Sequence, residues 1–426
     1  MLAIAAAITL AVGCSQSEPP PFRLNMVEMV SQETSDDYQQ EIADVLGALF
    51  GTPDEPVALE ETGLDANMLA RSAGPAWSDE KGVQRGLYRK HCVHCHGISG
   101  DGRGPTGRFL NPYPRDYRQG VFKFKGTYTA NRPTTDDLHA ILNNGIPGTA
   151  MPAFSLLPNS SVESLVEYVK YLSMRGQLET ALISYVYDEL GEDDDGGRIP
   201  LDPAADPEQR EIVLELLAEI VEDWEAAEQR TIAPDESQIP SDDRTPEEIV
   251  ASVAKGQQLY HGKEANCYTC HGPTALGDGQ QNEWDEWQKV QQKFLEETNR
   301  LAKSIQERAS QDDQDESSEA RLEEDKQTLA KRQEVVDTFY PIRHAIPRNL
   351  RQAFYRGGQR RLDIFWRISA GIAGTPMPGS GPASPGATAN LSDEEIWNLV
   401  DYVMSLPYEP PSRSQEAIVP NKDEIF

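Results

Sequence analysis

The chain has 426 residues, with 70 acidic against 39 basic side chains and a formal net charge of −31. Its length suits two or three domains, and a hydrophobic content of 38% is enough for compact cores over part of that length. A charge of this sign argues against nucleic acid and anionic membrane surfaces as partners.

Residues 1–14 read as a signal segment. Leu2 to Gly13 are apolar or small, too short a run for a membrane span, which needs about 20 residues, but suited to a signal-peptide core. The ending Ala11-Val12-Gly13-Cys14 resembles a bacterial lipoprotein cleavage box, which implies lipid attachment at Cys14 and a place on the outer side of a bacterial membrane. No Lys or Arg precedes the apolar run. Secretion without lipid, or a short uncleaved anchor, therefore stays open as an alternative. A leader follows over 15–77, in which Ile42, Val45, Leu46 and Leu49 predict a helix from Tyr38 to Phe50, ended by Gly51-Thr52-Pro53.

The next unit, 78–177, carries Cys92-Val93-His94-Cys95-His96 followed by Gly97. A second unit, 246–410, carries Cys267-Tyr268-Thr269-Cys270-His271 followed by Gly272. Two thiols three residues apart can add to the two vinyl groups of a haem while the adjoining histidine reaches the iron. C-x-x-C alone is ambiguous between zinc, a redox dithiol and haem; the trailing histidine, present twice, points to haem. Four of the five cysteines are used by these motifs and the fifth is Cys14.

Each motif has a methionine downstream in a matching setting: Gly145-Ile-Pro-Gly-Thr-Ala-Met151-Pro152 and Gly371-Ile-Ala-Gly-Thr-Pro-Met377-Pro378. Glycine and proline suit an irregular loop presenting a thioether to iron, and methionine is a common second axial ligand of c-type haem. Met174 and Met404, on predicted helices, fit a core role. Arg115 and Arg348 each follow a proline, precede an Arg-Gln pair at the same offset, and lead into Phe122-Lys123 and Tyr355-Arg356 respectively. A guanidinium so placed suits a haem propionate, because it pairs bidentately with carboxylate. Each unit closes with an amphipathic helix, marked by Val162, Leu165, Val166 and Val169, and by Ile396, Leu399, Val400 and Val403. Ser160 with Glu163 and Ser392 with Glu395 predict capping boxes at their starts.

On these residues both units resemble class I cytochrome c domains, and the whole resembles a di-haem c-type cytochrome serving a bacterial terminal oxidase. The resemblance implies an all-α fold and two covalently attached haem c groups. It implies His96 and His271 as proximal ligands and Met151 and Met377 as distal ligands. It also implies single-electron transfer in a respiratory chain rather than catalysis, with a quinol-oxidising complex and a terminal oxidase as redox partners.

Between the units, 178–245 reads as an acidic linker. Over 178–250 there are 23 acidic residues against four basic ones, densest at Glu192-Asp193-Asp194-Asp195. Ile212 to Trp224 predicts one helix here. A solvated connector and a docking face for a basic partner are both open readings. The second unit is interrupted: His96 to Arg115 spans 19 positions but His271 to Arg348 spans 77. The added segment, about 281–338, predicts an antiparallel helical hairpin projecting from the domain, and residues 411–426 form a tail.

The alternative is a di-haem peroxidase-type enzyme with one open haem, which also uses two C-x-x-C-H motifs; two matched methionine loops argue against it. Of the other histidines, His94 is expected to point to solvent and His139 to sit on an exposed helix. His261 is available as a ligand or acid–base group, and His344, four residues before Arg348, is the one closest to a predicted site.

Overall fold

The computed structural model describes residues 20–191, 197–310, 316–382 and 390–409. The lipid-attachment reading at Cys14 and the acidic run Glu192–Asp195 lie outside these residues. The fold is all-α: fourteen α-helices and one two-stranded ribbon, β1 (Trp77–Ser78) with β2 (Gln84–Arg85), occur among the described residues. None of these helices is long and apolar enough to cross a membrane.

The leader supplies α1 (Met26–Ser31), α2 (Asp36–Phe50) and α3 (Ala66–Ser72). Ser35 and Asp65 cap α2 and α3 by accepting from backbone N–H groups of the first turn. Ile42, Leu46 and Phe50 turn inward with Leu69. They pack on α7 (Asn159–Asp188), the central helix of the first unit. Around α7 also stand α4 (Leu87–His91), α5 (Val93–His96) and α6 (Thr135–Asn144).

Two expectations change here. The capping box of Ser160 with Glu163 does not form: α7 begins at Asn159, directly after Pro158, so Ser160 is already inside the helix. Pro158 has a fixed φ of −56° and starts the helix without a side-chain cap. The helix also runs past residue 177 to Asp188, because Leu178, Leu182, Ile183 and Val186 continue its buried face. After it, α8 (Pro207–Ala227) lays Val213, Leu217, Ile220 and Trp224 into the same core.

The second unit is built on α9 (Pro246–His261) crossing α14 (Asp393–Ser405), with α10 (Cys267–His271) and α13 (Arg361–Ala370) alongside. The crossing is close because Gly256 lies on it: a Cβ there would meet the Asn398 carbonyl oxygen at 2.0 Å. The capping box of Ser392 with Glu395 is present, as is one between Thr245 and Glu248. Both units bring a tyrosine pair to the same place, Tyr88 with Tyr168 (4.9 Å between centroids) and Tyr260 with Tyr402 (5.3 Å).

The insertion forms α11 (Glu286–Ala309) and α12 (Glu316–Asp337), packed against each other as expected. It does not project freely. Phe294 and Val335 bury against Val30 of α1, and the segment after α12 lies on the first unit. There Tyr113 donates to the Pro341 carbonyl at 2.9 Å and Arg343 to the Leu110 carbonyl at 2.7 Å. The apolar stripe of α11 finds its cover on the leader, which the linear sequence places far away.

Candidate haem sites

Each C-x-x-C-H motif makes one short helical turn ended by a glycine in a conformation closed to other residues: Gly97 at φ +75° and Gly272 at φ +80°. At these glycines a Cβ would also run into the Asp101 and Asp278 carboxylates, 2.2 and 2.0 Å away. The Gly97 and Gly272 carbonyls accept from the hydroxyls of Tyr88 and Tyr260, at 2.9 and 2.7 Å. Neither tyrosine was singled out from sequence. They lie four and seven residues before the first cysteine of their motifs, so no common spacing reveals them.

The histidines are oriented alike. His96 Nδ1 is 3.1 Å from the Arg115 carbonyl oxygen, and His271 Nδ1 is 3.1 Å from that of Arg348. A carbonyl only accepts, so Nδ1 carries the proton and Nε2 keeps its lone pair for a metal. Burial holds the His96 imidazole down at about 4, and it lowers His271 as well; both rings are neutral, as metal ligation requires. Tyr117 stacks on His96 at 4.6 Å, Phe122 on Tyr117 at 5.9 Å, and Trp224 of α8 meets Phe122 edge-on at 6.2 Å.

The methionine loops are duplicates to the hydrogen bond. Ile146 N donates to the Met151 carbonyl and Ile372 N to that of Met377, both at 3.1 Å. The Thr149 and Thr375 hydroxyls donate to the Ile146 and Ile372 carbonyls at 2.8 Å, and accept from Met151 N and Met377 N at 3.1 and 3.2 Å. Gly145 and Gly371 hold φ of +63° and +78°, where a Cβ would stand 2.6 Å from the carbonyl carbon of the following Pro152 or Pro378.

In the first unit these pieces meet in one cavity of about 380 Å³. Cys92, Cys95, His96, Arg115 and Met151 all line it, and Leu142, Phe154 and Val169 give it an apolar wall. Burial pushes the Cys92 thiol up to about 12 and the Cys267 thiol up to about 11, so both are neutral S–H groups. In the second unit His271 and Arg348 are joined directly, and Met377 sits on the equivalent loop.

The residues fit a haem. One cavity gathers two thiols, an imidazole with a free Nε2, a thioether and apolar walls. Buried guanidinium nitrogens also lack partners among the described residues: Arg115 Nη2, and Arg348 Nε and Nη2. A macrocycle bearing carboxylates answers both the cavity and these donors.

His94 is exposed. His139 lies on α6 and is half-buried rather than exposed. His344 is exposed, with its ring 4.7 Å from that of Trp284. The exposed His261 is held by the Gln257 and Pro273 carbonyls, 2.9 Å from each ring nitrogen. His91 has no signal in the sequence, since it merely precedes the first motif; it lines the cavity, its buried Nε2 has no partner among the described residues, and its ring meets Phe154 edge-on.

Fold and site together define a c-type cytochrome. Residues 253–407 match the cytochrome c family, and residues 83–169 match the family of cytochrome c oxidase, cbb3-type, subunit III. A comparison with curated proteins finds no match. Among solved structures, a chain of the Kuenenia stuttgartiensis reducing HAO-like protein complex aligns at 20% identity and a TM-score of 0.42. That alignment covers 78% of this chain and 97% of that one, and a likeness so slight carries no weight for function.

Proposed function

We propose that this chain is a di-haem one-electron carrier of a bacterial respiratory chain, passing electrons from a quinol-oxidising complex to a terminal oxidase. The observation that carries the reading is the duplication: the same Nδ1–carbonyl bond and the same methionine-loop hydrogen bonds occur in both units. Haem c, when bound, supplies an Fe(III)/Fe(II) couple.

The chain's own residues do the rest. Cys92 and Cys95, and Cys267 and Cys270, tether one group each. The Arg115 and Arg348 carbonyls fix the rings of His96 and His271, and Met151 and Met377 would supply each haem with a thioether ligand. A haem held by both a histidine and a methionine would favour electron transfer over bond-making chemistry. The second matched family, an oxidase subunit by its name, supports the terminal oxidase as partner. Cys14 tethers the mature protein by lipid on the periplasmic face.

The test is the optical spectrum of the reduced protein before and after carbon monoxide. Two haems per chain and no spectral change are expected; a shift in either haem means an open site and moves the peroxidase-type reading forward. Metabolic labelling with a radioactive fatty acid, lost in Cys14→Ser, checks the anchor.

A further inference from the structure

The two units meet through their cations. Each supplies an arginine and, eight residues later, a second cation: Arg115 with Lys123, and Arg348 with Arg356. The placement is reciprocal. Arg348, from the second unit, lies over the first methionine loop, where a Cβ on Gly148 would stand 3.0 Å from its Nη2. Arg115, from the first unit, lies over the second methionine loop, where a Cβ on Gly374 would stand 3.3 Å from its Nη1. Arg356 reaches across to the Gly148 carbonyl at 3.4 Å and lines the first unit's cavity together with Lys123 and Arg115.

These four side chains are short of counter-charge. Lys123 pairs with Asp285 at 3.0 Å, and Arg115 feels Asp285, Asp116 and Glu286 only at a distance. Asp116 is already committed to Arg118 at 2.7 Å. Arg348 and Arg356 have no carboxylate partner among the described residues. Arg348 stacks on Phe354 at 4.4 Å, and its Nε and Nη2, with Arg356 Nε, are buried and unpartnered. Burial depresses Arg356, and the charge of Arg348 depresses it further; burial, then Arg115 and also Arg356, bring Lys123 down to about 8. Half-buried like charges whose buried guanidinium nitrogens face so few carboxylates are unfavourable, so this arrangement calls for anions.

We propose that Arg115, Lys123, Arg348 and Arg356 form one anion site shared by the two units, filled by the haem carboxylates. On this proposal haem attachment completes the interface, and each unit's cations set the potential of the other unit's haem. The inference rests on the di-haem reading. Arg348 and Arg356 are then positioning residues: their positive charge favours the reduced state of the first unit's haem, and their loss lowers its potential while drawing the units apart.

The experiment uses the full-length holoprotein and the double variant Arg348→Gln/Arg356→Gln, with Arg348→Lys/Arg356→Lys keeping the charge. Haem per chain is counted from the reduced pyridine complex, the two potentials are measured by spectropotentiometry, and the radius of gyration by small-angle scattering. The expected result is two haems in every protein. The glutamine variant should shift the oxidation equilibrium of the first unit's haem at least tenfold, about 59 mV for one electron, with a larger radius, and the lysine variant should restore both. Should the glutamine double variant fail to accumulate, Arg356→Gln alone, which gives up one long hydrogen bond, is read the same way. Unchanged potentials and radius with two haems bound overturn the shared site and leave the carrier reading standing. Fewer than two haems in the unmodified protein overturns the carrier reading itself. Potentials in the unmodified protein that follow added inorganic phosphate assign the site to a free anion and overturn the proposal.

Discussion

The Nδ1 of His96 stands 3.1 Å from the carbonyl oxygen of Arg115, so one residue presents its backbone to the ring and its guanidinium to the opposite unit. Pro114, with its own φ fixed by its ring, leads the chain into it. His271 and Arg348 repeat the relationship at the same distance. Because the ring is held by the main chain, changing the Arg115 side chain leaves the imidazole oriented, and charge and ligation can be perturbed separately.

The methionines offer the first prediction. Met151→Ala and Met377→Ala should each lower the potential of one haem and leave the other near its starting value. The fall should be a substantial part of the ~0.8 V that axial ligation spans. Each variant should also gain carbon monoxide binding at one haem in two. Retention of the original spectrum and potential by either variant would show that methionine is not the sixth ligand there.

Gly145 offers the second. At φ +63°, with a Cβ only 2.6 Å from the Pro152 carbonyl carbon, alanine cannot enter without moving the loop. Strain of this kind costs on the order of 1–3 kcal/mol, and Met151 is the residue displaced. Gly145→Ala should make the first haem partly reactive to carbon monoxide. Gly47→Ala is the control: its position in α2 is open and free of positive φ. That change should stabilise by up to about 1 kcal/mol with no change in the spectrum.

Much of this site was legible because it is local. The C-x-x-C-H turns and the glycine–proline settings of Met151 and Met377 are spacings of a few residues, and their repetition in one chain removes ambiguity. What the sequence hid is what depends on packing. Tyr88 and Tyr260 reach the same carbonyl from different spacings. Arg356 belongs to one unit by sequence and to the other unit's cavity by position. Ser160 fits the capping-box pattern, but Pro158 starts the helix two residues sooner. The hairpin carries the apolar stripe that sequence predicts, yet nothing in its pattern points to Val30 as its cover.

Asp401 predicts a pH dependence. Burial alone would raise its carboxyl, but hydrogen bonds from Arg244 and Ser252 and the charge of Arg361 outweigh burial and leave it below the usual 3.8. Arg244 approaches to 2.5 Å and Arg361 to 2.8 Å, so this side chain joins the segment before α9 to α13 and α14. A carboxyl lowered in the fold contributes stability above its unfolded value, and that contribution is lost as pH falls through the folded value. Asp401→Asn should therefore cost about 2–3 kcal/mol at pH 7, allowing for the partly exposed arginines. The gap should stay flat down to about pH 5 and close below about pH 4. Urea unfolding followed by far-ultraviolet circular dichroism reads both; equal midpoints at pH 7 would sink the idea.

The hairpin supplies the last prediction, because its Phe294 cluster packs on α1 of the leader and contains none of the residues that line the haem cavity. Phe294 is 1% exposed. The Arg332 guanidinium stacks on its ring at 4.2 Å, Phe339 meets it edge-on at 5.7 Å, and Val30 and Val335 close around it. Truncating such a residue costs about 3–5 kcal/mol. The damage should stay in α11, α12 and α1, since no haem-ligating residue lies in that cluster. Phe294→Ala should thus accelerate amide hydrogen exchange across both hairpin helices while haem content and the reduced spectrum stay as they were. Faster exchange should also reach α1, whose Val30 loses its cover. Exchange confined to α11 and α12 would show that α1 is held by α7 and not by the hairpin.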